Sequence, residues 1–244
     1  MICYLNGQEI ELSKRIGSGI EGVVYRYQDK AIKIYKNYRL HDRKTEIRDK
    51  ILKSLETNRI MIPEELVTDE YGFYLGYSIP FIPKNVFRRK SVDIPSHIAI
   101  KNFRLLEKDS VMLANNFVLM DDTIHNVIDN GTLYFIDSGY YRFIDKDSYN
   151  DNIYISQVLG VKDNINLGED LIKKALTIKN LDLCYSTIWA NIEKKIIFRR
   201  NNLNNLKLRV INAMHDEPNK KLSDVIERYI KPEESIRNYV KRML

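Results

Sequence analysis

The stretch Gly17-Ser18-Gly19-Ile20-Glu21-Gly22-Val23-Val24-Tyr25 decides how the rest of this chain is read. Its glycines stand as G-x-G-x-x-G, a spacing that two unrelated contexts share. In a dinucleotide-binding unit the glycines follow a strand and open a helix, with an acidic residue about 20 positions further on. Here the β-branched pair Val23-Val24 follows at once, and another strand-like run, Lys30–Tyr35, comes after the turn-prone Gln28-Asp29. The loop therefore joins two strands. Missing side chains in such a loop let backbone N–H groups approach an anion, which suits a flap over phosphates. A hairpin that needs glycine for its turns is the plainer alternative.

Outward from the loop, residues 1–80 read mainly as strands. Ile2–Leu5 and Glu9–Leu12 flank Asn6-Gly7, a dipeptide whose tolerance of positive φ favours a tight hairpin. Gly22–Tyr27 pairs naturally with Lys30–Tyr35, and Leu66–Thr68 with Phe73–Ile79. From about Asp42, Ile47, Ile51, Leu52 and Leu55 recur at helical spacing, which predicts one helix with Ile47 and Ile51 able to face the sheet. Pro80, Pro83 and Pro95 bracket a hinge or linker. Beyond it Ser96–Asn115 reads as a helix with Ile98, Phe103, Leu105 and Leu106 on its apolar side. Phe117–Met120 and Leu133–Ile136 form a short β-like region with the turn signal Asn130-Gly131. From Asn152 only helices are expected, broken near Gly160, Gly168, Asn180, Pro218 and Pro232. The expected class is α+β: a small antiparallel β lobe with one helix over residues 1–82, and a mainly helical lobe over 83–244.

Chemistry-bearing residues follow the loop in order. Ala31-Ile32-Lys33 lies in the next strand, 11 residues after the last glycine. Further on, Asp121 and Asn126 stand five apart within Leu119-Met120-Asp121-Asp122-Thr123-Ile124-His125-Asn126. Tyr134-Phe135-Ile136-Asp137-Ser138-Gly139 comes after a hairpin-like run. In this order the residues resemble protein kinases: a G-x-G-x-x-G-x-V loop, the V-A-I-K lysine with Lys30 in place of valine, the Asp and Asn of H-R-D-x-x-x-x-N, and D-F-G. The resemblance covers roughly residues 10–140.

That resemblance implies a two-lobed protein-kinase-like fold holding Mg·ATP between its lobes. Asp121 would be the catalytic base that orients an attacking hydroxyl, and Lys33 would neutralise the α- and β-phosphates. Gly17, Ser18, Gly19, Gly22, Val24 and Ala31 would line the nucleotide, and Asn126 with Asp137 would hold Mg2+. In the family the lysine pairs with a helix glutamate; Glu46 is the candidate, with Glu56 a second one at the helix end. His125 falls inside the implied catalytic loop and is read as structural, since carboxylates already serve the site.

The pattern also departs from the family. Leu119 and Met120 replace the His and Arg of H-R-D, so activation through a phosphorylated loop is not expected. Asp122 offers a second carboxylate, and only spacing favours Asp121 as the base. Thr123 stands where Ser/Thr kinases usually carry lysine and aminoglycoside or choline kinases histidine, and it answers neither way. No A-P-E follows Asp137 before the helix near Asn152. The implied activity is transfer of the γ-phosphate of ATP to a hydroxyl, first of all protein Ser or Thr. The missing A-P-E favours the alternative, a small hydroxylated substrate of the aminoglycoside or choline type. A non-catalytic nucleotide-binding scaffold is the third reading, opposed by the retention of Lys33, Asp121, Asn126 and Asp137.

Bulk properties narrow the classes. At 244 residues the chain can bury most of its unfolded surface without metals or disulfides. Cys3 and Cys184 are far apart and match no zinc or redox spacing, so a reducing cytoplasm is the simplest setting. The N-terminus lacks the order of a signal peptide and no apolar run reaches the ~18–20 residues of a membrane span, so no membrane partner is expected. A net charge of +6 is carried partly by Arg88-Arg89-Lys90 and by Lys194 to Arg209. Solvated faces explain such runs most simply, and no nucleic-acid-binding motif accompanies them.

Overall fold

The computed structural model describes residues 1–36, 42–83, 95–120, 127–129, 132–160, 167–192, 214–221 and 224–225. Seven strands form one antiparallel sheet: β1 (Ile2–Leu5), β2 (Gln8–Glu11), β3 (Lys14–Ser18), β4 (Gly22–Tyr27), β5 (Lys30–Tyr35), β6 (Glu65–Thr68) and β7 (Tyr74–Pro80). Their order across the sheet is β2-β1-β6-β7-β5-β4-β3. Asn6 and Gly7 both take positive φ, 50° and 79°, and close the first hairpin as the dipeptide predicts. The two-residue period of a strand sorts β5 onto two faces. Ile32 and Ile34 enter an apolar core with Cys3, Ile10, Leu12, Val67 and Leu75. Lys33 and Tyr35 face the other way; Tyr35 clusters there with Tyr74 and Tyr77.

Helix α1 (Arg43–Lys53) starts where expected, with the Asp42 side chain accepting from the Lys44 N–H at 3.1 Å. Its buried face is only partly the one that apolar spacing predicts: Leu52 is buried and Leu55 packs against the same core, but the two isoleucines do not. Ile47 and Ile51 are 47% and 39% exposed, whereas Thr45, Arg48, Asp49 and Leu52 are buried. The reason lies in the sheet. Tyr35 and Tyr74 bring buried hydroxyls toward the helix, and both donate to Asp49 Oδ2, the first at 2.9 Å. A buried hydroxyl without a partner costs about 1–3 kcal/mol, so satisfying two of them outweighs half-burying two isoleucines.

The sheet is fastened to the helical portion by residues 58–61. Asp109, buried on α2 (Ser96–Asn115), accepts from the backbone N–H groups of Asn58, Arg59 and Ile60 at 2.6–3.0 Å. The same segment bonds to β10 (Leu133–Phe135): Met61 N–H donates to Phe135 O at 2.7 Å, and Phe135 N–H to Arg59 O at 2.8 Å. A shared core of Leu52, Ile60, Leu106, Leu113, Val118, Met120, Phe135 and Cys184 fills the space between. On α2, Leu106 is buried as expected and Phe103 half-buried, but Ile98 is 37% exposed; polar Asn102, Asp109 and Ser110 occupy part of the inner stripe.

The short strands belong to two ribbons. β8 (Val118–Leu119) pairs with β11 (Arg142–Phe143), and β9 (Val127–Asp129) with β10. Helix α3 (Tyr149–Leu159) ends at Gly160, which takes φ 67°. Helix α4 (Glu169–Ile192) follows Gly168 and runs unbroken through Asn180, where a break was expected. Asn180 is buried; its Oδ1 accepts from Met120 N–H at 2.9 Å and its Nδ2 donates to Val118 O at 3.0 Å. Its amide thus stands in for a strand neighbour of β8, a tertiary role that a turn-prone residue gives no sign of. Cys3 and Cys184 are free, buried and in separate cores, and burial raises both thiol pKa values. Among the described residues no helix is long and apolar enough to cross a membrane. Asn130-Gly131, Pro232 and both basic clusters lie outside the described residues.

Candidate functional site

The glycine-rich segment turns between β3 and β4, with Gly19 N–H donating to Gly22 O at 2.9 Å. Ser18 pairs with Val23 and Gly17 with Val24, while Ile20 at the tip is 78% exposed. Gly22 pairs with Tyr35 on β5, and a Cβ there would run into the Ile34 carbonyl, so this close strand approach requires glycine. Val24, half-buried, lies opposite Lys33, and Ala31 is buried two residues before it.

Lys33 is only 6% exposed. Its ammonium meets two carboxylates, Glu21 Oε2 at 2.9 Å and Asp137 Oδ1. Asp137 follows β10 and holds φ 67°, ψ 80°, a left-handed conformation that is uncommon for a residue with a side chain. Held strain of this kind gathers at functional sites. The carboxylate helps to hold it: Oδ1 also accepts from Gly139 N–H at 3.1 Å, capping the 3-10 turn Ser138–Tyr140, and from the Tyr77 hydroxyl at 3.4 Å.

Helix α1 reaches the same turn through Arg48. One guanidinium nitrogen donates to Gly139 O, another to the Tyr35 hydroxyl at 2.6 Å, and Nε to Asp49 Oδ1 at 2.9 Å. Burial works against the Arg48 charge, but Asp49 beside it keeps its pKa above the ordinary value. Burial, reinforced by Asp49, raises Tyr35 and Tyr74, and burial with Asp137 nearby raises Tyr77 well above the phenol's usual range. All these groups therefore keep their protonated forms at neutral pH.

Of the residues singled out in the sequence, the structure brings together Lys33 and Asp137 beneath the glycine loop. It does not bring Glu46 to Lys33. Glu46 pairs with Lys50 at 2.6 Å on the half-open side of α1, because the inner side is taken by Arg48 and Asp49. Glu56 lies elsewhere, lining a cleft with Lys53, Glu64 and Lys108. The glutamate that meets Lys33 is Glu21, from the loop itself. Its one signal in the sequence is an acidic residue set between glycines where small or apolar residues would serve a plain turn. Arg48 and Asp49 carried no signal beyond being adjacent opposite charges. Asp121, Asn126, Asp122, Thr123 and His125 lie outside the described residues. Among the described residues no three His, Cys, Asp or Glu side chains gather as a metal cluster. No family model matches the chain, and no curated protein is similar to it.

Proposed function

We propose that this chain is a protein-kinase-like phosphotransferase that moves the γ-phosphate of ATP to a hydroxyl group. One observation carries this reading: Lys33 and Asp137, 104 residues apart in sequence, meet beneath a glycine loop that joins two strands. The order of parts supports it, with the loop between β3 and β4, the lysine on β5, the helix α1, and Asp137 after the α2 helix. Lys33 would bind the non-transferred phosphates, and the loop's backbone N–H groups would cover them. Asp121 would orient the acceptor hydroxyl and take its proton as the acceptor oxygen bonds phosphorus and the bond to the ADP oxygen breaks. Asp137 fits a magnesium ion, since it makes its contacts among the described residues through Oδ1 and leaves Oδ2 to a ligand; Asn126, which only the kinase resemblance assigns to the metal, would add an amide oxygen of the hard type that ion takes. Bound there, magnesium would offset charge on the β- and γ-phosphates.

Protein Ser or Thr is the first choice of acceptor. A small hydroxylated molecule is the second, favoured because α3 begins at Tyr149, only 12 residues after Asp137, which leaves little chain to seat a peptide. The test is transfer of radiolabel from Mg·ATP to the protein itself, to a generic protein substrate and to aminoglycosides and choline. Asp121→Asn and Asp137→Asn serve as controls and are expected to abolish transfer. Label that persists equally in both variants refutes the site. A magnesium-dependent thermal shift with ATP that Asp137→Asn removes, with no transfer to any acceptor, points instead to a nucleotide-binding scaffold.

A further inference from the structure

We infer that Glu21 is a positioning residue for Lys33, doing from the glycine loop the work that the kinase resemblance assigns to a glutamate on the helix. The inference rests on the phosphotransferase reading and sharpens its phosphate site. Lys33 lies between two carboxylates, and of these Asp137 is the one a metal ion would share. With the Asp137 charge shared between Lys33 and a metal ion, Glu21 supplies the countercharge that no metal draws on. The main chain at Glu21 is built to stay. Its carbonyl accepts from Lys36 N–H at 2.7 Å, and the next residue, Gly22, is packed against the Ile34 carbonyl so closely that no Cβ fits. The open part of the loop comes just before it, at Gly19, whose Cβ position faces open space, and at exposed Ile20. Gly19 is itself tied to Gly22 O and to the Lys36 ammonium, so the loop presents a set shape while the Glu21 carboxylate, 3% exposed, remains on Lys33.

Two further features agree. A side chain at Gly139 would collide with the Glu21 carboxylate, so the glycine of Asp137-Ser138-Gly139 leaves the room that Glu21 fills. On α1 neither carboxylate competes for the role, since Asp49 binds Arg48 and Glu46 binds Lys50. With Glu21 in place, Lys33 is held at one height above the Asp137 turn, where it can reach phosphate oxygens without first being desolvated. A neutral amide at this position would leave the ammonium free to follow Asp137.

Calorimetric titration with Mg·ATP and with adenosine, which lacks phosphates, tests this. Glu21→Gln is expected to bind Mg·ATP about tenfold more weakly, the worth of one charge-assisted bond, while binding adenosine within about twofold of the wild type. In a Lys33→Met background the same change should cost less than about twofold, because the partner it positions is gone. Glu21→Asp, which keeps the charge but withdraws it by one methylene, should lose part of the Mg·ATP affinity with the same selectivity, and serves if the glutamine variant does not fold. Equal or tighter Mg·ATP binding by Glu21→Gln overturns the inference; tighter binding would make Glu21 a competitor of the phosphates. Parallel loss of both ligands with a lowered melting temperature also overturns it, by making the role merely structural. A wild type that binds neither ligand removes the nucleotide reading itself, an outcome distinct from both.

Discussion

On one face of β5, Ile32 and Ile34 pack into a core of aliphatic side chains; on the other, one residue along, Lys33 and Tyr35 meet partners from the glycine loop, α1 and the Asp137 turn. The first face is held by buried area, which is non-directional and forgiving of shape. The second is held by charges and hydrogen bonds, each of which leaves a costly orphan if its partner goes. A single strand thus carries an aliphatic core on its even positions and the proposed chemistry on its odd ones. The two roles should separate by mutation.

The largest separation is expected between neighbours. On the phosphotransferase reading proposed above, Lys33→Met should cut phosphoryl transfer about a thousandfold, as loss of a positioned charge in an excluded site does. Ile34→Ala should instead lower stability by about 2–5 kcal/mol in denaturant unfolding and leave transfer by the folded protein intact. If Ile34→Ala lost transfer while folded, the division between the faces would not stand. Next in size, Asp49→Ala should cost about 3–5 kcal/mol, since it strands the buried Arg48 guanidinium and the hydroxyls of Tyr35 and Tyr74. A loss below about 1 kcal/mol would contradict the network.

A graded effect, absent at neutral pH, comes with alkali. Burial holds Tyr35, Tyr74, Tyr77 and Tyr141 above the usual phenol pKa. In the unfolded chain these groups release protons near pH 10 while the folded chain retains them, so the unfolded state binds fewer protons there. Stability is therefore full below about pH 10 and falls above it by about 1.4 kcal/mol per pH unit for each such tyrosine. Phenolate absorbance should show these four of the 16 tyrosines ionising only as circular dichroism is lost. Ionisation of all of them in the folded protein would contradict the buried placement. The smallest change is expected on the outer side of α1, where Ile51→Ser should shift unfolding by no more than about 0.5 kcal/mol. A larger loss would restore the face that apolar spacing suggests.

The strands were legible because they depend on local rules. Alternation in Lys30–Tyr35, the Asn6-Gly7 turn and the run of β-branched residues after Gly22 each act within a few residues. The orientation of α1 was not legible, because it is set by two tyrosines on separate strands that share one aspartate. Asn180 misled for the same reason: a residue with turn preference is tolerated mid-helix when its amide completes a distant strand. At the site, motif order singles out Lys33 and Asp137, whereas the partner of Lys33 lies in the loop and not on the helix that the resemblance implies. The motif records which groups a reaction needs; which neighbour fixes each one is decided by packing.

The two cysteines give the molecule a reporter of its own. Cys3 sits in the aliphatic core of the sheet and Cys184 in the core shared by α1, α2 and α4, both shielded from solvent. A thiol reagent can reach each only when its own core opens, so the modification rate of either cysteine measures that opening. Peptide mass resolves one site from the other without any label being introduced. Equal rates would mean that sheet and helices come apart in one step; a faster Cys3 would mean that the sheet breathes while the helical part stays closed.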